Sequence, residues 1–100
     1  MGAVHSAELP YQFPHFSNTK VLDGPDLSAK AQQLSNTMLE YWTSFAAHGV
    51  PHARYAPAWS AFESGSRILR LDQGKVDYFD AAAAHHCAFW QSLYPALLSR

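Results

Sequence analysis

The sequence has little of several features that would assign a function class directly. It has a single cysteine, Cys87, so no internal disulfide can form, and this slightly favours a soluble protein of the reducing cytoplasm. No apolar run reaches the roughly eighteen residues of a membrane-spanning helix, and His5, Glu8, Pro10 and Pro14 interrupt any signal-peptide pattern. The seven Lys and Arg residues are scattered, so we expect neither a nucleic acid nor a membrane as partner.

Apolar side chains, by contrast, are abundant for so short a chain. Hydrophobic residues make up 48% and aromatic residues 14% of the 100 positions. A chain of this length forms at most one domain and buries only about two thirds of the surface that it exposes when unfolded. We therefore expect large side chains to remain exposed until a second copy, as in a homo-oligomer, or the rest of a larger protein covers them.

Hydrophobic spacing predicts a mainly α fold with a small β-hairpin or short strand. Residues 1–20 are predicted to form an irregular loop with at most one helical turn. A helix is predicted over 26–48, with Asp26 or Ser28 as its N-cap and Gly49 as its C-terminal cap. Apolar residues three and four positions apart define one face of this helix: Leu27, Ala31, Leu34, Met38, Tyr41, Trp42 and Phe45.

The second half of the chain is predicted to contain a long connection, a strand or hairpin and a final helix. The connection, 50–66, carries Trp59 and Phe62 as predicted core residues. Ile68, Leu69 and Leu71 precede a turn signal at 72–74, which predicts a short strand or hairpin over 67–77. A helix is predicted over 80–98, capped by Asp80 and kinked near Pro95, with Cys87 on its apolar side.

Four segments, in order, resemble a known family. They are G-A-V-H-S-A-E-L-P-Y at 2–11, the helix ending in Y-W-T-S-F-A-A-H-G-V-P at 41–51, P-A-W at 57–59, and C-A-F-W at 87–90. In this order they are similar to the C-terminal portion of the type-B carboxylesterases, the cholinesterase-like branch of the α/β-hydrolases. The resemblance implies the last part of an α/β-hydrolase fold without its central sheet, and a small ester as substrate.

The resemblance also implies a role for two residues near the start of the chain. His5 matches the family's catalytic histidine, which acts as a general base on a serine, and Glu8 matches a supporting group beside it, not the triad acid. No cofactor is implied. The G-x-S-x-G serine turn is absent, because Ser64-Gly65-Ser66 lacks the leading glycine, so we expect this chain to be inactive without a serine-bearing portion.

Simpler interpretations stay open for each of these residues. The alternative for His5 in the isolated chain is an exposed histidine on a flexible segment, and the alternative function is a stand-alone interaction protein that self-associates through its apolar helix faces. A metal site is not predicted: Gly49 and Pro51 break the register of His48 and His52, and the adjacent residues at 85–87 point in different directions on a helix. Cys87 is expected to be a buried hydrophobe.

Overall fold

The computed structural model describes residues 4–13, 27–63 and 67–94. Within these ranges the chain is part helical, with one two-stranded antiparallel sheet. The predicted combination of helices and a small hairpin is confirmed at this level. The serine candidates at 64–66, the candidate cap Asp26 and the kink at Pro95 lie outside the described residues. The elements in chain order are α1 (Leu9–Gln12), α2 (Ala29–His48), β1 (Arg67–Asp72), β2 (Lys75–Asp80), α3 (Ala81–Ala84) and α4 (Cys87–Leu93).

Local sequence determines both ends of α2. The Ser28 hydroxyl accepts a hydrogen bond from the backbone N–H of Ala31 at 3.2 Å, so the helix begins at Ala29. Gly49, at φ 74°, adopts the left-handed conformation that ends the helix after His48. These caps fix the ends of a 20-residue helix against which α1 and β1 pack.

The buried side of α2 is narrower than the predicted apolar face. Ala31, Leu34, Ser35, Met38 and Tyr41 are buried, at the expected spacing of three and four. The same face was predicted to include two further aromatic residues, but Trp42 is 41% and Phe45 is 59% exposed. The described chain covers this face only as far as Tyr41, which forms the core with Ala53 and Leu69.

Side chains of α2 hold the segment after it, which has no regular structure. Ser44 Oγ accepts a hydrogen bond from the His52 N–H at 2.7 Å and donates one to the His52 carbonyl at 2.9 Å. The Glu40 carboxylate accepts from the Arg54 backbone N–H at 2.6 Å and from its guanidinium at 2.9 and 3.1 Å. These bonds fold the chain back along the helix.

The carboxylate of Glu40 makes this fold-back sensitive to acid. The backbone N–H of Arg54, and then its guanidinium, hold the pKa of Glu40 below the ordinary value of 4.5. The unfolded chain therefore binds this proton more readily, and the stabilisation, present above about pH 4.5, is lost as pH falls through the lower folded pKa. We expect Glu40→Gln to flatten the fall in melting temperature below about pH 4.5, while Glu63→Gln leaves it as in the wild type. Parallel melting curves for the Glu40→Gln variant and the wild type would contradict this.

Two tyrosine hydroxyls fix the next part of the connection. Tyr41 donates to the Pro57 carbonyl at 2.6 Å, and Tyr78 of β2 donates to the Ala58 carbonyl at 2.5 Å. Trp59 lies between them, with its ring edge-on to Tyr41 at 5.1 Å between centroids. The predicted packing of Trp59 against the core is confirmed, whereas Phe62, predicted beside it, is 75% exposed.

The hairpin is longer than predicted and the final helix is divided. β1 pairs with β2 from Arg67↔Asp80 to Asp72↔Lys75, with Gly74 at φ 79° in the turn. Asp80 caps α3 as expected, accepting from Ala83 N–H at 2.9 Å.

The helix predicted over 80–98 is wrong in its continuity. The chain turns after α3, where His86 takes a left-handed φ of 53°, and α4 begins only at Cys87. The four alanines favour a helix and all of them lie in α3, but their preference does not extend that helix through His86. Cys87 is half-buried, where full burial was expected.

Candidate functional site

Residues 4–13 form a short turn that leads into α1. The Ala7 N–H donates to the Val4 carbonyl at 3.2 Å and the Leu9 N–H to the Ser6 carbonyl at 3.3 Å. Ser6 has a φ of 63°, a left-handed conformation that is uncommon outside glycine. Pro10 stands within the first turn of α1, where its missing N–H leaves no bond unmade. The described part of the segment is thus a turn followed by one helical turn, as predicted for 1–20.

His5 lies on the solvent-facing part of this turn. It is exposed, and within 4–13, 27–63 and 67–94 it makes no hydrogen bond or ion pair. Glu8 is also exposed, and its side chain does not cap α1 although its backbone occupies the N-cap position. The structure therefore places both residues on one surface turn without bringing a described serine or acid to the imidazole.

Two hydrogen bonds to Tyr11 attach this turn to the rest of the fold. The Ser35 hydroxyl of α2 donates to the Tyr11 carbonyl at 2.5 Å. Gln73, in the hairpin turn, donates through Nε2 to the Tyr11 hydroxyl at 2.6 Å. Neither donor was predicted from the sequence to have this role. For Ser35 a signal existed, since a polar residue stands between Leu34 and Met38 on the buried face of the helix.

An aromatic groove lies at the other half of α2. Its volume is about 640 Å³, and within it Trp42 contacts Trp59 edge-on, at 6.0 Å between ring centroids. Ser35 and Phe45 are ten residues apart on the helix, so the groove lies about 15 Å along the axis from the anchor of the histidine turn. The lining residues are Tyr41, Trp42, Phe45, Gly49, Val50, Pro51, Trp59, Ser60, Ala61 and Phe62.

Comparison with known proteins matches nearly the whole chain to one family. The sequence model of the Carboxylesterase family matches residues 1–90. The chain belongs to the carboxylesterase family. It is 32% identical over 96 residues to cocaine esterase of Homo sapiens, covering 95% of this chain and 16% of that protein. It is 34% identical over 95 residues to acylcarnitine hydrolase of Rattus norvegicus, covering 93% and 16%. Acetylcholinesterase of Bungarus fasciatus is 26% identical over 102 residues, covering 99% and 16%.

The family match includes His5, Glu8 and the anchors of their turn, since all lie within residues 1–90. The chain nevertheless spans only about a sixth of the length of these carboxylesterase relatives, 16% in each case. The match establishes the family of this chain. It does not assign the activity of the complete relatives to these hundred residues.

The other described histidines of this carboxylesterase-family chain do not gather into a site. His48 ends α2, and His52 uses its backbone to bind Ser44. His85 and His86 occupy the turn between α3 and α4, and both are exposed. Across the described ranges, no three His, Cys, Asp or Glu side chains come close enough to share a metal ion. The same ranges hold no helix with the length and apolar character needed to cross a bilayer.

Electrostatic shifts in the described residues accompany structural contacts. Burial, above all, raises the pKa of Tyr41. Hydrogen bonds from Ser60, first its side chain and then its backbone N–H, lower the pKa of Tyr78. Partial burial opposes ionisation of Asp77, but hydrogen bonds from Lys75 and Arg70 bring its pKa below the ordinary value of 3.8. Asp77 thus joins residues of the hairpin, and the two tyrosines hold the connection, which lines the groove at residues 59–62.

Proposed function

We propose that this chain supplies the histidine of a carboxylesterase that hydrolyses small esters, and that it corresponds to the C-terminal portion of the enzyme's α/β-hydrolase fold. His5 is the proposed general base, with the nucleophilic serine and the triad acid contributed by residues beyond these hundred. The observation that carries the proposal is the placement of His5: an exposed imidazole without a described partner on an ordered, anchored turn.

In each half of the proposed reaction one proton moves to His5 and then away from it. The neutral imidazole of His5 takes the proton from the serine hydroxyl as its oxygen attacks the ester carbonyl, and the imidazolium then gives it to the departing alkoxide. A water molecule then attacks the acyl-serine while His5 takes its proton, and the imidazolium gives that proton to the serine oxygen as the acid is released. A carboxylate from outside these residues would orient the ring, whereas the exposed Glu8 would support the turn.

A fluorophosphonate probe tests the division of labour between this chain and a serine-bearing portion. The probe forms a covalent adduct with a serine whose hydroxyl is activated, and intact mass reports it. We expect no adduct on this chain alone, since the sequence holds no G-x-S-x-G. We expect an adduct on a chimera in which this chain replaces the matching 96 residues of human cocaine esterase. An adduct on the isolated, folded chain would contradict the proposal.

We also propose that the exposed apolar surface is covered, by a second copy of the chain or by the serine-bearing portion. Large side chains on two helices support this: Phe45 on α2 is 59% exposed, and Phe89, Trp90 and Leu93 on α4 are 58%, 51% and 55% exposed. A stand-alone interaction protein would use the same surface.

Sedimentation analysis over a dilution series checks this second proposal. We expect the isolated chain to dissociate from dimers or larger species as its concentration falls through the micromolar range. Phe89→Ser is expected to shift dissociation to higher concentration, whereas Tyr55→Ser, at a fully exposed side chain on the connection, should not. A chain that stays monomeric and cooperatively folded at all concentrations would rule out self-association.

A further inference from the structure

Tyr11 receives hydrogen bonds from two elements that are distant in sequence. The donor of its carbonyl, Ser35, is 24 positions away, and the donor of its hydroxyl, Gln73, is 62 positions away. The main chain of Tyr11 is therefore fixed by α2 and its side chain by the hairpin turn. Tyr11 lies six positions after His5.

The burial of Ser35 indicates that its hydrogen bond contributes to the packing of α1 on α2. The residue is 0% exposed on a helix face otherwise formed by apolar side chains. A buried hydroxyl costs free energy unless it is hydrogen-bonded, and an alanine here would avoid that cost. The Tyr11 carbonyl accepts this bond, so the serine holds α1 in a defined position on α2.

Gln73 is held ready to donate by the turn in which it lies. Its backbone N–H bonds to the Asp72 carboxylate at 2.8 Å. The next residue, Gly74, lies beside the start of α2: a methyl group built on it would be 3.8 Å from Cδ of Lys30. The hairpin turn thus contacts both α2 and α1. The backbone that carries the Gln73 amide is held in place where that amide donates to Tyr11.

Backbone hydrogen bonds carry this anchoring from Tyr11 back to His5. The Tyr11 N–H donates to the Glu8 carbonyl at 3.0 Å, and the bonds of Leu9 to Ser6 and of Ala7 to Val4 continue the series. Each bond spans three residues, so they overlap and leave no free hinge between the anchor and the imidazole.

We propose that Ser35 and Gln73 are positioning residues for His5, acting through Tyr11. The effect of Ser35 and Gln73 on catalysis rests on the proposed function, whereas their effect on the orientation of the turn does not. A histidine that serves as general base must lie within hydrogen-bond reach of its serine, and small displacements of such a group are costly to turnover. The fold meets this need by joining the turn to both α2 and the hairpin.

Amide hydrogen exchange on the isolated chain tests the anchoring by itself. We expect Ser35→Ala and Gln73→Leu each to accelerate exchange of the Leu9 and Tyr11 amides about three- to tenfold, while amides at the centre of α2 are unchanged. Gln73→Glu should behave as the wild type, because the Tyr11 hydroxyl can donate to the new carboxylate. Gln32→Leu removes an exposed bond to Asn36 that does not touch Tyr11 and serves as the matched control. Unchanged exchange in both anchor variants would overturn the inference, and Gln73→Leu remains informative if Ser35→Ala fails to fold.

Turnover by the cocaine esterase chimera separates positioning from mere stabilisation. We expect Ser35→Ala and Gln73→Leu to lower kcat about tenfold with KM unchanged, and Gln73→Glu to restore it. If His5→Ala abolishes turnover but the anchor variants leave kcat unchanged, the positioning role is wrong and the proposed function stands. If His5→Ala leaves turnover unchanged, the proposed function fails, and the exchange result alone then decides whether the anchors orient the turn.

Discussion

Replacing His5 with alanine is expected to lower kcat of the chimeric esterase by a thousandfold or more. Loss of a general base typically costs about 10²- to 10⁴-fold, and loss of a histidine that works as a unit with its serine can cost about 10⁶-fold. Because the imidazole is exposed and makes no described bond, its removal should not destabilise the fold. Activity should therefore fall while the melting temperature stays within about 1 °C.

A matched histidine makes this result specific. His85 is also exposed, at the end of α3, and lies in a turn with no proposed catalytic role. His85→Ala should leave kcat and the melting temperature near the wild-type values. Equal losses of activity in the two variants would show that the chimera is sensitive to surface changes in general, and full activity in His5→Ala would remove His5 from the reaction.

Features determined by neighbouring residues could be predicted from the sequence. The Ser28 cap needs only an N–H three positions on, and the ends at Gly49 and Asp80 likewise depend on local conformation. The position of His5 within its segment followed from a string of ten residues that resembles a family. Its role as general base stays a prediction.

Features determined by contacts between distant residues could not be predicted from the sequence. The bond of Ser35 to Tyr11 and that of Gln73 to the same residue join elements whose approach no local pattern encodes. The division of the last helix at His86, which has a left-handed φ of 53°, is likewise not revealed by alanine's preference for helix. Periodicity identified an apolar face on α2, but not how far the described chain would cover it.

The part of the α2 apolar face that the described chain covers ends between Tyr41 and Trp42. Substitutions of these two adjacent residues are therefore expected to differ widely in their effect on stability. Tyr41 is 0% exposed, packs with Ala53 and Leu69, and donates to the Pro57 carbonyl. Tyr41→Ala would leave a cavity and an unpaired carbonyl, and we expect it to lower the free energy of unfolding by about 3–5 kcal/mol. A domain of this size is stable by only about 5–15 kcal/mol, so urea denaturation should show a large loss or a partly unfolded chain.

Trp42→Ala provides the control, because it removes a larger side chain that is 41% exposed. In a monomeric sample of the isolated chain its effect should be about 1 kcal/mol, chiefly the loss of its edge-on contact with Trp59. In the chimera, where the serine-bearing portion is proposed to cover the groove, the cost of Trp42→Ala should rise to about 2 kcal/mol or more, while that of Tyr41→Ala stays the same. Equal destabilisation by the two variants in the isolated chain would contradict the boundary, and a Trp42 effect that does not grow in the chimera would show that the groove faces solvent there too.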